Sequence, residues 1–144
     1  MCGACRKTGE CRLGLDTERL DSDGAAHFEV VCPESYEGGP GVAHGGWTAG
    51  CLDEVLGHVP LLHSQLSVTG TLTVRFIKPV PIGHPLLARA WIDRVDGVKW
   101  FISGDLVLKS SGALLASATG VWIARNRESH FGGFERWLAE QVGS

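Results

Sequence analysis

The fold of this chain is decided by one stretch, which reads Gly41-Val42-Ala43-His44-Gly45-Gly46-Trp47-Thr48-Ala49-Gly50-Cys51-Leu52-Asp53-Glu54. Its glycines lead into a segment whose apolar residues cover well over half of a helical wheel, which predicts a helix largely wrapped by protein. Two adjacent carboxylates, Asp53 and Glu54, lie within that helix. A carboxylate on an apolar helix face is costly unless it is paired or used. The stretch therefore predicts both the central element of the fold and the position of the chemistry.

The boundaries of this helix follow from its flanking residues. It is predicted to run from about Gly45 to about His58, with Gly57 and Pro60 as stop signals. Residues 33–43, which precede it, are rich in Pro and Gly and are predicted to form a long loop.

Strands account for most of the remaining chain, because apolar and polar residues alternate there between turn signals such as Asp96-Gly97. The predicted strands are Ala25–Cys32, Gln65–Lys78, Pro85–Val95, Val98–Lys109 and Ala113–Ala124. Glu128–Val142 is predicted to be a short amphipathic helix. Four long strands after one helix predict an α+β fold, in which an antiparallel meander of about five to six strands curves around a central helix.

The chain is long enough, at 144 residues, for one domain with its own core. We predict a Cys-containing, irregular lead-in over 1–24, the folded domain over 25–127, and a helix and tail over 128–144. The net charge of −3 leaves no basic face for nucleic acid. No apolar run reaches transmembrane length, no dinucleotide-binding glycine motif occurs, and the first residues lack a signal-peptide pattern. We therefore expect a cytoplasmic protein without membrane contact, whose five cysteines are thiols or metal ligands rather than disulfides.

Four segments resemble one family, the hotdog-fold acyl-CoA thioesterases of the 4-hydroxybenzoyl-CoA thioesterase superfamily. The phenylacetate-pathway thioesterases are the most similar subgroup, and the resemblance covers roughly residues 25–125. The segments are His44-Gly45-Gly46-x6-Asp53, Thr71-Leu72-Thr73-Val74-Arg75-Phe76-Ile77-Lys78-Pro79, Gly83-His84-Pro85-Leu86 and Ala116-Ser117-Ala118-Thr119-Gly120-Val121-Trp122.

The resemblance implies an enzyme that hydrolyses an acyl- or aryl-CoA without a cofactor. It implies a dimer or tetramer whose active site lies at the dimer interface. Asp53 would be the catalytic carboxylate, acting as nucleophile or as general base for water, and the Gly45 backbone N–H would polarise the thioester carbonyl.

The chemistry of these residues fits such roles. An N–H at a helix N-terminus has no intrahelical partner and lies at the positive end of the helix dipole, and Gly45 and Gly46 both meet that description. Asp53 lies about 12 Å further along the axis than Gly45, so one acyl carbon would meet the two only if they come from different chains. His44 is predicted to shape the loop, with general base as the alternative, and Glu54 is the second choice for the carboxylate.

Other residues are candidates for substrate binding. Thr69, Thr71 or Thr73 could place a hydroxyl near Asp53, and the family's usual Ser or Thr favours Thr69. Arg75 and Lys78, with Arg125 or Arg127 as alternatives, could meet the phosphates of coenzyme A. Trp47 is predicted to line the acyl pocket.

Two features depart from the family pattern. Gly38, beside Glu37, stands where several relatives have an Asn or Gln that holds the attacking water. Cys2-x2-Cys5, followed by Cys11, contains the CxxC spacing of a zinc knuckle, but a fourth ligand would have to come from Cys32 or His27, so free thiols are the default.

Two alternative functions stay open. Asp53-x4-His58 copies the spacing of a hotdog enoyl-CoA hydratase, although the Asn-Pro of that motif is missing. A non-catalytic acyl-CoA-binding protein is the other alternative, and it would have no need of Asp53 in an acyl pocket.

Overall fold

The structure is a computed structural model that describes residues 7–143. Within them the chain forms six strands and two long helices, which confirms the predicted α+β class. The elements are β1 (Leu15–Leu20), β2 (Ala26–Val31), α1 (Gly45–Leu62), β3 (Ser67–Phe76), β4 (Pro85–Asp96), β5 (Lys99–Leu108), β6 (Leu114–Ala124) and α2 (Arg127–Val142).

The strands form one antiparallel sheet in the order β1-β2-β4-β5-β6-β3. β4, β5 and β6 form the predicted meander, but the prediction is wrong for β3, which pairs with β6 at the far edge. The reason is the connection over residues 77–84, which contains two prolines and is too long for a tight hairpin. It runs past the start of α1, where the Ala43 N–H donates to the Val80 carbonyl at 2.8 Å.

The other edge of the sheet begins earlier than predicted. Residues 1–24 were predicted to be irregular, and this is wrong for β1, which pairs with β2. Gly14, at φ 85°, brings the chain so near β2 that a Cβ there would lie 1.9 Å from the Val31 carbonyl oxygen. β1 is mostly exposed and lacks an apolar alternation, so its backbone pairing leaves no pattern in the sequence.

α1 lies against the concave face of the sheet and supplies much of the core. The prediction that it ends near His58 is wrong, because it continues to Leu62 through both expected stop signals. Gly57 receives the Trp122 indole, whose Nε1 would be 3.0 Å from a Cβ at that position. Pro60 lies in the last turns and is fully buried, so the contacts of its ring offset the missing N–H. The buried helix residues are Trp47, Thr48, Cys51, Leu52, Val55, Leu56, Val59 and Pro60.

α2 follows β6 and confirms the predicted C-terminal helix. Its N-terminus is capped by the Asn126 side chain, which accepts from the N–H groups of Glu128 and Ser129. None of its described residues is buried. No helix among the described residues combines the length and apolar character needed to cross a membrane.

Candidate active site

The N-terminus of α1 has one backbone donor that no described residue satisfies. His44 is the N-cap, and its Nδ1 accepts from the Gly46 N–H at 2.8 Å. Its carbonyl accepts from the N–H groups of Trp47 and Thr48 at 2.9 and 3.2 Å. Among residues 7–143, nothing accepts from the exposed Gly45 N–H. The cap therefore selects Gly45 over Gly46 as the N–H available to a ligand.

The loop before α1 is held in place by hydrogen bonds from its own backbone N–H groups. The His44 N–H donates to the Tyr36 carbonyl at 2.8 Å, and the Glu37 carboxylate accepts from the Gly41 N–H at 2.6 Å. Gly38 packs so closely that a Cβ would lie 3.0 Å from the His44 Cα. The amide side chain that the resemblance led us to expect at this position would require the His44 backbone to shift by a few tenths of an ångström.

Asp53 and Thr69 meet between α1 and β3, as the preference for Thr69 predicts. The Thr69 hydroxyl donates to Asp53 Oδ1 at 2.7 Å, and Asp53 is half-buried. A β-bulge at Gly70 makes this contact possible, since the register shifts between Thr69 and Thr71. An extra residue reverses the faces of a strand, so Thr69 turns toward α1 while Thr71 is exposed and alternates with Leu72, which packs on the core.

A cavity of about 290 Å³ lies at the N-terminal end of α1, beside the end of β3. Phe76 is 59% exposed, and its ring lies 3.7 Å from where a Cβ on Gly45 would be. Lys78 is exposed and lines the same cavity as Gly45. The lining consists of Val42, Ala43, Gly45, Thr48, Phe76, Ile77, Lys78, Pro79 and Val80.

Two of these lining residues were missed by the sequence reasoning. Thr48 follows Gly45 by three positions, a helical spacing that places both on one face, and this signal was available. Phe76 was not singled out from the strand that contains it, and it lies at the end of β3, opposite the small Ala116.

The structure gives Trp47 a different place from the predicted one. Trp47 was expected to line the acyl pocket, but it is 2% exposed, and its indole N–H donates to the Leu13 carbonyl at 3.0 Å. It therefore packs in the core of the single chain. Arg75 is exposed on β3, and its side chain forms no hydrogen bond or ion pair with a described residue.

Glu54 lies on another face of α1 and belongs to a separate cluster. His58 Nε2 lies 2.8 Å from Glu54 Oε1 and Nδ1 lies 2.8 Å from Glu18 Oε2, and the protonated imidazole donates to both. The hydrogen bond to Glu54, helped by that to Glu18, raises the pKa of His58 against the effect of burial. The hydrogen bond from His58 lowers the pKa of Glu54. His58 is therefore not paired with Asp53, and the hydratase-like spacing does not form a catalytic pair.

The described cysteines are buried or half-buried thiols. Burial raises the pKa of Cys32 to about 11 and that of Cys51 to about 12, so both stay protonated and unreactive at neutral pH. Cys11 is an unbonded thiol as well. Over residues 7–143 no cluster of potential ligands could hold a metal ion, and Cys2 and Cys5 lie outside the described residues.

Two larger cavities among the described residues lie away from the one beside Gly45. One of about 380 Å³ is on the sheet face opposite α1, between Arg19, Glu29 and Arg89. One of about 370 Å³ adjoins Glu54 and His58. Neither contains Gly45 or Asp53, so size alone does not identify the candidate active site.

A central helix within a curved antiparallel sheet, with a carboxylate and an open N-terminus on that helix, defines the class of hotdog-fold proteins. A family model of the thioesterase superfamily matches residues 40–114. The chain belongs to the thioesterase superfamily.

Individual relatives support this assignment. The acyl-coenzyme A thioesterase THEM4 of Xenopus laevis is 29% identical over 123 residues, which cover 76% of this chain and 55% of that protein. The PaaI protein of Escherichia coli, from the phenylacetic acid degradation operon, has a similar fold with a TM-score of 0.72 at 20% identity, over 85% of each chain. The structure of smu.793 from Streptococcus mutans, bound to acetyl CoA, also has a TM-score of 0.72, at 16% identity over 81% of this chain and 93% of that one. The chain spans about half the length of the curated relatives it matches.

Proposed function

We propose that this protein is an acyl-CoA thioesterase that hydrolyses the thioester of an acyl- or aryl-CoA to the free acid and CoA. One observation carries the proposal: α1 carries a carboxylate that a hydroxyl orients, Asp53 with Thr69, and an unpartnered N–H at its N-terminus, that of Gly45. Thioester hydrolysis needs an attacking oxygen and a donor for the developing oxyanion, and these groups supply both. The THEM4 and THEM5 relatives are named as acyl-CoA thioesterases.

Asp53 supplies the attacking oxygen in one of two ways. As a general base it takes a proton from water, whose oxygen adds to the carbonyl carbon. As a nucleophile it adds directly and forms an acyl anhydride, which water then hydrolyses. Both routes break the carbon–sulfur bond, release CoA as its thiol and leave the acid, and Thr69 orients Asp53 in both.

Two copies of the chain are needed to complete one site. Gly45 and Asp53 are separated by about 12 Å along α1, which is too far for one acyl carbon to contact both. β3 is an edge strand, and its outer side carries unpaired backbone groups. Antiparallel pairing of two β3 edges about a two-fold axis would place the Thr69 end of one chain beside the Phe76 end of the other.

The CoA portion of the substrate is assigned to the basic residues near Gly45. Lys78 lies at the cavity rim, and Arg75 is exposed nearby on β3. Both are suited to phosphate oxygens, Arg75 by bidentate hydrogen bonds and Lys78 as a point charge. The acetyl CoA bound to smu.793 shows that this fold accommodates such a molecule in that protein.

Hydrolysis is tested with a panel of acyl- and aryl-CoAs, with free thiol release as the measurement. Wild-type protein should release thiol from at least one substrate, and a protein that releases none from any would contradict the proposal. Single turnover in H₂¹⁸O separates the two routes. Label in Asp53, with ¹⁶O from its carboxylate in the acid, identifies the nucleophilic route with water attacking the aspartyl carbon of the anhydride, whereas label in the acid alone is expected for the base.

The two-chain site is tested by mixing two inactive variants. Gly45→Val blocks the N–H, and Asp53→Asn removes the base. If each site combines Gly45 and Asp53 from different chains, subunit exchange rebuilds one intact site per heterodimer, and about a quarter of wild-type activity returns after random exchange. If both residues act within one chain, no activity returns, and the same mixture contradicts the two-chain site.

A further inference from the structure

Thr48 is the buried polar side chain of the described core that has no hydrogen-bond partner. It is 2% exposed, and no described residue donates to its hydroxyl or accepts from it. No side-chain oxygen or nitrogen in residues 7–143 is both fully enclosed and unpartnered, so the Thr48 hydroxyl must reach open space. That space is the cavity it shares with Gly45. Because buried polar groups normally have a hydrogen-bond partner, an unpartnered hydroxyl that opens into a cavity is a candidate for hydrogen bonding to a ligand.

The spacing on α1 places this hydroxyl above the Gly45 N–H. Thr48 lies three residues after Gly45, and helical side chains tilt toward the N-terminus over the residue one turn earlier. A threonine inside a helix normally donates to the carbonyl four residues back, here that of His44. That carbonyl already accepts from the N–H groups of Trp47 and Thr48, and the Thr48 hydroxyl does not join them. Its proton is therefore available to a ligand.

We infer that the Thr48 hydroxyl is a second hydrogen-bond donor to the thioester carbonyl oxygen, beside the Gly45 N–H. The inference rests on the proposed thioesterase function and assigns a catalytic residue to it. When the attacking oxygen adds to the carbonyl carbon, the carbonyl electron pair moves onto the oxygen, which then accepts from both donors. The pair returns as the carbon–sulfur bond breaks, and Thr48 keeps its proton throughout.

The walls of the cavity strengthen this pair of donors. Val80 and Ala43 are buried and form an apolar wall of the cavity, and the Phe76 ring lies beside Gly45, so water reaches an oxyanion there from fewer directions than on an open surface. Hydrogen bonds to a developing charge are strongest where water is excluded and the donors are fixed in advance. Thr48 is fixed by its burial, and Gly45 by the helix that it begins.

Kinetics of matched variants test the assignment. Thr48→Val removes the hydroxyl at nearly constant volume, and we expect kcat to fall about 100-fold, the usual effect of losing one oxyanion donor, with little change in KM. Thr48→Ser restores the donor and should return kcat to within about 5-fold of wild type. Thr119→Val, the same change at an exposed position on β6, should leave kcat unchanged.

Binding of two uncleavable analogues separates a donor from a packing role. Acetyl-dethia-CoA keeps the carbonyl and replaces the sulfur by methylene, whereas S-ethyl-CoA keeps the sulfur and lacks the carbonyl oxygen. Thr48→Val should weaken the first by about 10-fold and leave the second unchanged. Equal loss for both, full kcat in Thr48→Val, or failure of Thr48→Ser to restore kcat would each overturn the inference. Wild-type protein without hydrolysis would instead overturn the proposed function.

Discussion

Asp53 and Glu54 are neighbours in sequence, but they face different strands and have different partners. Asp53 faces β3, where its partner is the neutral hydroxyl of Thr69. Glu54 faces β1, where its partner is His58, an imidazole whose pKa is raised by Glu54 and Glu18. The partner of Asp53 carries no charge, whereas Glu54 forms an ion pair whenever His58 is protonated. The comparison separates a carboxylate suited to act as a base from one suited to tie two elements together.

The largest expected effect comes from removing the Asp53 charge. Asp53→Asn keeps the shape and can still accept from Thr69, but the amide cannot take a proton or attack. Thioester hydrolysis should fall by about 100- to 10,000-fold, with little change in the free energy of unfolding. The measurement is thiol release from the best acyl-CoA, together with urea unfolding.

Glu54→Gln is the matched control for this substitution. It should keep kcat within a few-fold of wild type and lose stability instead, since it removes the partner of His58. If Glu54→Gln abolished hydrolysis and Asp53→Asn did not, the two carboxylates would have to exchange roles.

Thr69→Val sharpens the comparison by removing the neutral partner alone. The hydrogen bond to Asp53 is charge-assisted, so its loss should lower kcat by about 10- to 100-fold while Asp53 remains. Thr69→Ser should recover most of the rate. Thr71→Val, two residues away on the exposed face, serves as the control, and an equal loss there would show that the strand and not the hydroxyl matters.

The sequence allowed the central features of this site to be predicted because they depend on local spacing. The helical pattern after His44-Gly45-Gly46 identified α1, and a separation of eight residues fixed Asp53 relative to Gly45. The alternation of β4, β5 and β6 identified the meander. Each of these features follows from one residue pattern on one element.

The features that could not be predicted depend on contacts between distant elements. β1 is supported by backbone pairing with β2, and its exposed side chains carry no periodic signal. The bulge at Gly70 reverses the face of Thr69, and this depends on the register with β6. Trp47 packs in the core because its indole meets the Leu13 carbonyl, a partner 34 positions earlier.

A smaller effect is expected on the free energy of unfolding, which should depend on pH through the cluster of Glu54, His58 and Glu18. The pKa of folded His58 lies above its ordinary 6.5, so its contribution to stability is complete below pH 6.5 and is lost as pH rises through the folded value. The pKa of folded Glu54 lies below 4.5, so its contribution is complete above pH 4.5 and is lost as pH falls through the folded value. The cluster should therefore stabilise the fold most between pH 4.5 and 6.5.

His58→Gln tests this pH dependence. The free energy of unfolding of wild-type protein should exceed that of the variant at pH 6, by about 0.5–1 kcal/mol for a partly exposed pair, and the difference should shrink at pH 9. The groups that face His58 are Glu54 on α1, Glu18 on β1 and the Phe28 ring on β2. A difference that stayed constant from pH 6 to pH 9 would mean that packing on Phe28, and not charge, holds His58.

The smallest effect on the free energy of unfolding is expected for Glu18, the most exposed member of the cluster. Glu18 is 43% exposed, and β1 is an edge strand, so water and salt screen its pairing with His58. Glu18→Gln should lower the free energy of unfolding at pH 6 by at most about 0.5 kcal/mol, and by less in 1 M salt. The same substitution in a His58→Gln background should have no effect, because its only charged partner among the described residues is then gone. An undiminished effect in that background would show that Glu18 stabilises β1 directly, and the link from β1 to α1 would then depend on Glu54 and His58 alone.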